Sequence, residues 1–282
     1  MHKIALLIVA LSFFLQAKSS VWKISNAQNM HIYLGGTIHL LRDSDYPLPK
    51  AYTHAYQKSD IVVFETNIKD KSIGEYMAQK SLYPKGTQLK DKLSPSTYQA
   101  LEKYCTKVGF PLALISRMRV SLAMLSLSLH KFQSLGFHAH NGVDLHFYDQ
   151  ASSDHKPIYS FETPQEQVDM ILSIGEGQED KMVEYTLKDL AQLEAYFDPI
   201  VRGWRVGDRE ILAASLLKEL KAYPKIYKRL LVDRNHNWIV TINNYFKTDK
   251  IEFVLVGAGH LVGKDGLLQY FEQNGYRIEQ VK

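Results

Sequence analysis

Two short apolar runs constrain this chain more than any other feature. Ile61-Val62-Val63-Phe64 and Phe253-Val254-Leu255-Val256 are unbroken stretches of residues that favour strands. A strand with one wet face alternates apolar and polar residues. A run without alternation is buried on both faces, as in a parallel sheet covered by helices. Each run stops abruptly, the first at Glu65 and the second at Gly257-Ala258-Gly259-His260. Residues 21–24 and 30–34 predict two more strands, with Gly35-Gly36-Thr37 breaking the second, and residues 156–161 predict another. Helical patterns cover 47–58, most of 73–129 with 112–129 as a core helix, 142–150, 178–196 and 208–244. Thr163-Pro164-Gln165-Glu166 is a capping box with proline in the first helical turn. The chain closes with a strand over 251–256, a helix over 266–274 and a strand over 276–281. This order predicts an α/β fold: a central mixed sheet flanked by helices, with a helical insertion between the N- and C-terminal strand units.

The first residues read differently. Met1-His2-Lys3 precedes IALLIVALSFFLQA, fourteen residues with one amide near the end. A membrane-spanning helix needs roughly 20 apolar residues, whereas a basic start, a short apolar stretch and a small-residue exit describe a secretory signal peptide. Residues 1–19 are therefore expected to be a leader, cut after Ala17 or Ser19, with export to the periplasm or extracellular space. No stable membrane span is expected after cleavage, and residues 20–282 form one domain without repeats or linkers. No cysteine follows the apolar run, which excludes a lipid anchor there. Lys+Arg 34 against Asp+Glu 30 gives +4, and loss of Lys3 and Lys18 leaves +2. A scattered charge this small excludes a nucleic-acid face. The single cysteine, Cys105, excludes an internal disulfide and a cysteine-based zinc site, and its helical context reads as core.

Three polar groups fall just beyond predicted buried strands: His39 after Gly35-Gly36-Thr37-Ile38, Glu65 after Phe64, and His260 after Gly257-Ala258-Gly259. In open α/β sheets the ligand crevice lies outside the carboxyl ends of the strands, so the three can converge there. Two imidazoles and a carboxylate suit a divalent metal with open coordination positions, which would make bound water nucleophilic near neutral pH. Taken singly, each histidine reads more readily as a loop or capping residue than as a ligand, and Glu65 reads also as a salt-bridge partner or a cap of the turn into Asn67. The repeated Gly-x-x-His is what joins them. Gly257-x-Gly259-x-x-x-Gly263 is similar to a dinucleotide-binding turn, but the chain ends too soon for the second half of that fold. His138, His140 and His146 around Asp144 read as loop histidines, and no Gly-x-Ser-x-Gly elbow is present.

Tyr33-Leu34-Gly35-Gly36-Thr37-Ile38-His39-Leu40-Leu41, then Ser59-Asp60-Ile61-Val62-Val63-Phe64-Glu65, resemble the opening motifs of the TraB/PrgY/GumN family, which includes the Tiki proteins. Val256-Gly257-Ala258-Gly259-His260-Leu261-Val262-Gly263 is similar to its closing motif. Gly142-Val143-Asp144, Phe161-Glu162-Thr163-Pro164-Gln165, Trp204-Arg205-Val206-Gly207-Asp208 and Asp233-Arg234-Asn235-His236-Asn237-Trp238 follow in the family's order. The leader and Trp22-Lys23 resemble the secreted, GumN-like bacterial branch. Gly35 and Phe64 depart from the commoner residues at their positions, and neither offers a metal ligand.

The resemblance implies a metal-dependent hydrolase, a metallopeptidase in the Tiki relatives, supported by Mn²⁺, Co²⁺ or Zn²⁺. Carried over by position, His39, Glu65 and His260 would hold the metal, with Glu65 as third ligand or general base. Arg234 would neutralise charge on the scissile carbonyl oxygen and Asn235 would donate a hydrogen bond, while Asp144 and Glu162 match acidic positions that support the site or the substrate. The expected partner is a peptide or protein substrate. The alternative is a non-catalytic metal-, haem- or peptide-binding protein of the periplasm or envelope, and a third reading is an ester or sugar hydrolase.

Overall fold

A computed structural model of the chain describes residues 18–221 and 223–282. The expected leader lies outside the described residues except for its last two, and Ser19 and Ser20 are already buried. The Ser19 carbonyl accepts from Gln280 Nε2 at 2.8 Å, and the Ser20 carbonyl accepts from the Gly36 N–H at 2.8 Å.

The chain runs β1 (Val21–Ser25), β2 (His31–Thr37), α1 (Lys50–Lys58) and β3 (Ile61–Thr66). Three helices follow, α2 (Ser72–Lys80), α3 (Pro95–Val108) and α4 (Val120–Ser134), then α5 (Val143–Ser153) and β4 (Ile158–Glu162). The second helical block is α6 (Pro164–Leu172), α7 (Glu179–Leu190), α8 (Leu193–Val206), α9 (Arg209–Lys221), α10 (Pro224–Tyr227) and α11 (Asp233–Tyr245). The end comprises β5 (Glu252–Gly257), α12 (Ala258–Leu261), α13 (Leu267–Gln273) and β6 (Arg277–Gln280).

The strands form one mixed sheet in the order β4-β3-β5-β2-β1-β6. β4, β3, β5 and β2 are mutually parallel, while β1 pairs antiparallel with both β2 and β6. The fold is therefore α/β with flanking helices, as the two unbroken apolar runs require. Those runs are β3 and β5, the inner two of the four parallel strands, and their side chains are almost entirely hidden from solvent.

Three expectations need correction. β2 does not break at Gly35 but continues through both glycines to Thr37, in register with Leu255 and Val256 of β5. A Cβ on Gly35 would lie 2.8 Å from both Leu255 and Phe253, so here glycine makes room for its neighbours and does not end the strand. The helix expected over 112–129 begins only at Val120, after a short 3₁₀ turn at Leu112–Leu114. The helix expected over 178–196 is two, because α7 ends at Leu190 and α8 starts at Leu193. In addition, α3, α4 and α7 share a core of their own, with Leu101, Cys105, Met124, Leu127 and Val183, distinct from the core around the sheet. Cys105 is buried there and its thiol is pushed up to about 11 by that burial, which suits packing and not nucleophilic chemistry. Among the described residues no helix is long and apolar enough to cross a membrane.

Candidate functional site

The carboxyl ends of the four parallel strands supply the site. β3 ends in Glu65-Thr66 and β4 in Glu162, with Thr66 and Glu162 in register. β5 ends at Gly257 and passes into α12, which carries His260. α11 crosses above them and presents Arg234, Asn235 and Trp238 on one face, since residues i and i+4 share a helix side. Its approach is set by a wide π-type turn over Lys228–Val232, a local distortion common near functional sites.

Arg234 is the hub. Its Nη2 donates to Glu65 Oε2 at 2.5 Å and to Glu162 Oε2 at 2.9 Å, and its Nε donates to Glu162 Oε1 at 2.6 Å. Its Nη1 lies 3.1 Å from His260 Nε2, and its guanidinium stacks 4.6 Å from the Trp238 ring. Trp238 also donates its indole N–H to Glu162 Oε1 at 3.0 Å and packs on the His260 ring at 4.4 Å. Glu65 Oε1 accepts the Gly257 N–H at 2.7 Å.

Asn235 turns its amide inward. Its Oδ1 meets His260 Nδ1 at 2.7 Å, and its Nδ2 donates to the carbonyls of His260 at 3.1 Å and Asp265 at 2.8 Å. At 2% exposure it has no reach to a substrate. It is a positioning residue. With Nδ1 donating to Asn235, the neutral His260 ring has its Nε2 lone pair facing Arg234 and Glu65, whose Oε1 is 3.8 Å away. That is the tautomer of an imidazole ready to accept a donor or bind a cation.

The ionisation states follow. Burial alone would raise Glu65, but His260 once it takes a proton in acid, the Arg234 guanidinium, the His39 charge and the Gly257 N–H outweigh it and hold the carboxyl at about 2. Burial lowers His260 to about 3, aided by the Arg234 and His39 charges against the pull of Glu65, so the ring is neutral at physiological pH. A carboxylate held this low is a poor proton acceptor near neutrality, which favours a charge-holding or ligand role for Glu65 over that of general base.

His39 stands apart from the hub. Its side chain is 66% exposed, and its Nδ1 meets Asp144 Oδ2 at 2.7 Å. The contact is built by backbone. The Val143 N–H donates to the Ile38 carbonyl at 3.0 Å, and a Cβ on Gly142 would lie 2.4 Å from the His39 carbonyl oxygen. Glycine therefore lets the start of α5 dock on the His39 loop and carry Asp144 in its first turn. Asp144 raises His39 to about 9, with Glu65 assisting. His39, Asp144 and Glu65 line one cavity of about 260 Å³, together with Thr66 and part of α6. The hydroxyls of Thr37 and Thr66, at the ends of β2 and β3, are buried with no hydrogen-bond partner among the described residues.

The structure thus brings Glu65, Glu162, Arg234, Asn235 and His260 into one cluster, and joins His39 and Asp144 to it across the cavity. Among the described residues no three His, Cys, Asp or Glu side chains are grouped to hold a metal. The donor types and tautomers nevertheless suit a divalent ion: His39 and His260 each direct Nδ1 at a supporting side chain, the arrangement that orients metal-binding imidazoles. An ion shared by Glu65 and His260 would have to take the place of the Arg234 contacts. His138 and His140 stack on each other at 5.0 Å, and His146 packs on Tyr46 and Phe147. Trp238, Thr66, Gln167 and Ile171 were not legible as site residues, although Trp238 stands four residues after Arg234 on the same helix.

The sequence profile of the TraB/PrgY/gumN family matches residues 20–280. The chain is also similar to "Uncharacterized protein YbaP" of Escherichia coli (strain K12), at 23% identity over 261 residues, which is 86% of this chain and 88% of that protein. The protein of the same name from Shigella flexneri matches with the same identity and coverage. No solved structure matches the chain. With the family motifs gathered at one end of the sheet and the profile spanning nearly the whole described chain, the chain belongs to the TraB/PrgY/gumN family.

Proposed function

We propose that the chain is an exported hydrolase, acting on peptide bonds at the crevice formed by the ends of β2, β5, β3 and β4. The observation that carries this reading is the buried Glu65–Arg234–Glu162 cluster beside a neutral His260, facing the solvent-open His39–Asp144 pair across a cavity. Taking such charges out of water costs several kcal/mol per ion before pairing, and perturbed groups in a cleft are what chemistry uses. His39, Glu65 and His260 would hold a divalent ion, Mn²⁺, Co²⁺ or Zn²⁺. When bound, that ion would supply Lewis acidity and a water of lowered pKa. Asp144 and Asn235 orient the two imidazoles. Arg234, anchored on Glu162, neutralises negative charge developing on the scissile carbonyl oxygen, an effect worth about 3 kcal/mol.

A second reading rests on the contacts of Arg234 with Glu65 and His260. In it the guanidinium is the resident cation that meets negative charge on the substrate, and no metal is needed. The two readings separate in one experiment: cleavage of a peptide library by the purified chain, with chelator and with each ion, beside His39→Ala and His260→Ala. Ion-dependent cleavage lost in both variants supports the metal reading. Cleavage indifferent to chelator supports the second. Retention of peptide without turnover in any condition would contradict both and leave a binding protein.

Export carries its own expectation. Cleavage after Ala17 preserves the Ser19–Gln280 contact, whereas cleavage after Ser19 removes it. Intact mass of the exported protein is expected to give a chain beginning at Lys18.

A further inference from the structure

Beside the reactive groups, the cavity of about 260 Å³ runs from Glu65 and His39 to the inner face of α6. Its far wall is apolar. Phe64 and Ile68 come from the end of β3 and the loop after it, and Ile171 from the last turn of α6. Gln167, one helical turn before Ile171 and therefore on the same side of α6, also lines it. Thr66 lines it too, while its hydroxyl is turned into the protein, hidden from solvent.

Size decides what fits. A dry cavity of roughly 150 Å³ accepts a benzene ring, while sites that enclose a drug-sized molecule start at roughly 300 Å³. The cavity falls between, so it takes one large side chain and the adjoining backbone atoms, not a whole ligand. Its lining combines apolar Phe64, Ile68 and Ile171 with polar Gln167, His39, Glu65 and Asp144. A residue of a peptide, an apolar side chain on an amide backbone, presents groups for both.

We propose that this cavity is a specificity subsite that receives one leucine- to phenylalanine-sized apolar side chain of a peptide substrate, against Ile68 and Ile171, with Gln167 meeting the adjoining amide. The inference rests on the hydrolase reading for its substrate, but its geometry does not depend on the metal. It assigns the preference for the residue beside the cut bond to α6 and the end of β3.

The test is a titration of methyl-labelled protein, following the Ile68 and Ile171 methyl signals, with N-acetyl-phenylalaninamide, N-acetyl-leucinamide and N-acetyl-glycinamide. Burial of the side chain is expected to make the phenylalanine and leucine compounds bind roughly tenfold tighter than the glycine compound or better, with saturable shifts at both methyls. Ile171→Trp fills the cavity and is expected to abolish that difference. Gln167→Met keeps the length of the side chain without its amide and is expected to weaken binding several-fold without changing the preference. Equal binding of all three compounds, or saturation with no shift at either methyl, overturns the subsite. Peptide-library cleavage separates the two layers. Tight side-chain binding without any cleavage contradicts the hydrolase reading and leaves the subsite standing. Cleavage with no preference for large apolar residues, or a preference unmoved by Ile171→Trp, overturns the subsite and leaves the hydrolase.

Discussion

Glu65 and Glu252 lie on neighbouring strands of one sheet, exposed by 6% and 2%, and they ionise in opposite directions. Glu65 sits at the carboxyl end of β3 with the Arg234 guanidinium, the Gly257 N–H and the His260 ring around it, and is held at about 2. Glu252 opens β5 at the other end of the sheet, opposite Ile61. Burial pushes it up to about 7, the nearby Asp60 adds to the rise, and its Oε2 has no hydrogen-bond partner among the described residues. Burial is common to both, so burial alone does not make a functional carboxylate. The difference lies in the Arg234 guanidinium held against Glu65, beside the Gly257 N–H aimed at its other oxygen.

The largest expected effect comes from removing the cation. Arg234→Met leaves Glu65 and Glu162 buried without their partner and is expected to cost about 3–5 kcal/mol in denaturant unfolding at pH 7. A loss under about 1 kcal/mol would break the comparison, because the charges would then not be coupled as described.

Next comes the sign of two identical substitutions. Glu65 has a depressed carboxyl, so its contribution is present above pH 4.5 and lost as the pH falls towards 2. Glu65→Gln should therefore destabilise by about 3 kcal/mol at pH 7, and the gap from wild type should narrow in acid. Glu252 has a raised carboxyl, so its cost is absent below pH 4.5 and complete once the pH passes about 7. Glu252→Gln should stabilise by about 2 kcal/mol at pH 8, with no gain at pH 4. Matching signs for the two variants would erase the distinction between the ends of the sheet. His260 adds to acid lability in wild type: held neutral to about 3, it disfavours the folded state progressively below pH 6.5, where only the unfolded ring takes a proton.

How far these roles could be read from residues alone follows the same division. The apolar runs at Ile61 and Phe253 announced doubly buried strands, because burial on both faces leaves a mark in composition. Glu65, His39 and His260 stood out as polar groups just beyond strand ends. β2 was cut short at Gly35 because the reason for that glycine is the distant pair Phe253 and Leu255, a contact with no local signal. Asp144 and Glu162 entered through the family resemblance, and only the docking of α5 and the end of β4 reveal that one serves His39 and the other Arg234. Glu252 has no sequence mark at all. Its neighbours, not its pattern, make it unusual.

Smaller effects sharpen the picture at the solvent-open edge of the site. Asp144→Asn removes the charge that raises His39 from its ordinary value to about 9, so an imidazole titration followed by NMR should fall back towards 6.5. Because the His39 side chain is largely exposed, the linked loss of stability below pH 6.5 should be smaller than that of Glu65→Gln at pH 7, and it should vanish as the pH passes about 9. Smallest of all is Thr66→Val. Removing an unpaired buried hydroxyl without changing shape should leave the melting temperature unchanged or slightly higher, and a clear drop would reveal a partner for that hydroxyl.

The most direct measurement is a carboxyl titration by NMR of protein labelled with ¹³C at glutamate Cδ, with Glu65→Gln and Glu252→Gln used to assign the two signals. Glu65 is predicted to remain ionised at pH 4, and Glu252 to be protonated at pH 5.5. A Glu65 signal that titrates at or above the ordinary 4.5 would contradict the claim that this end of the sheet is built around a buried, cation-held carboxylate.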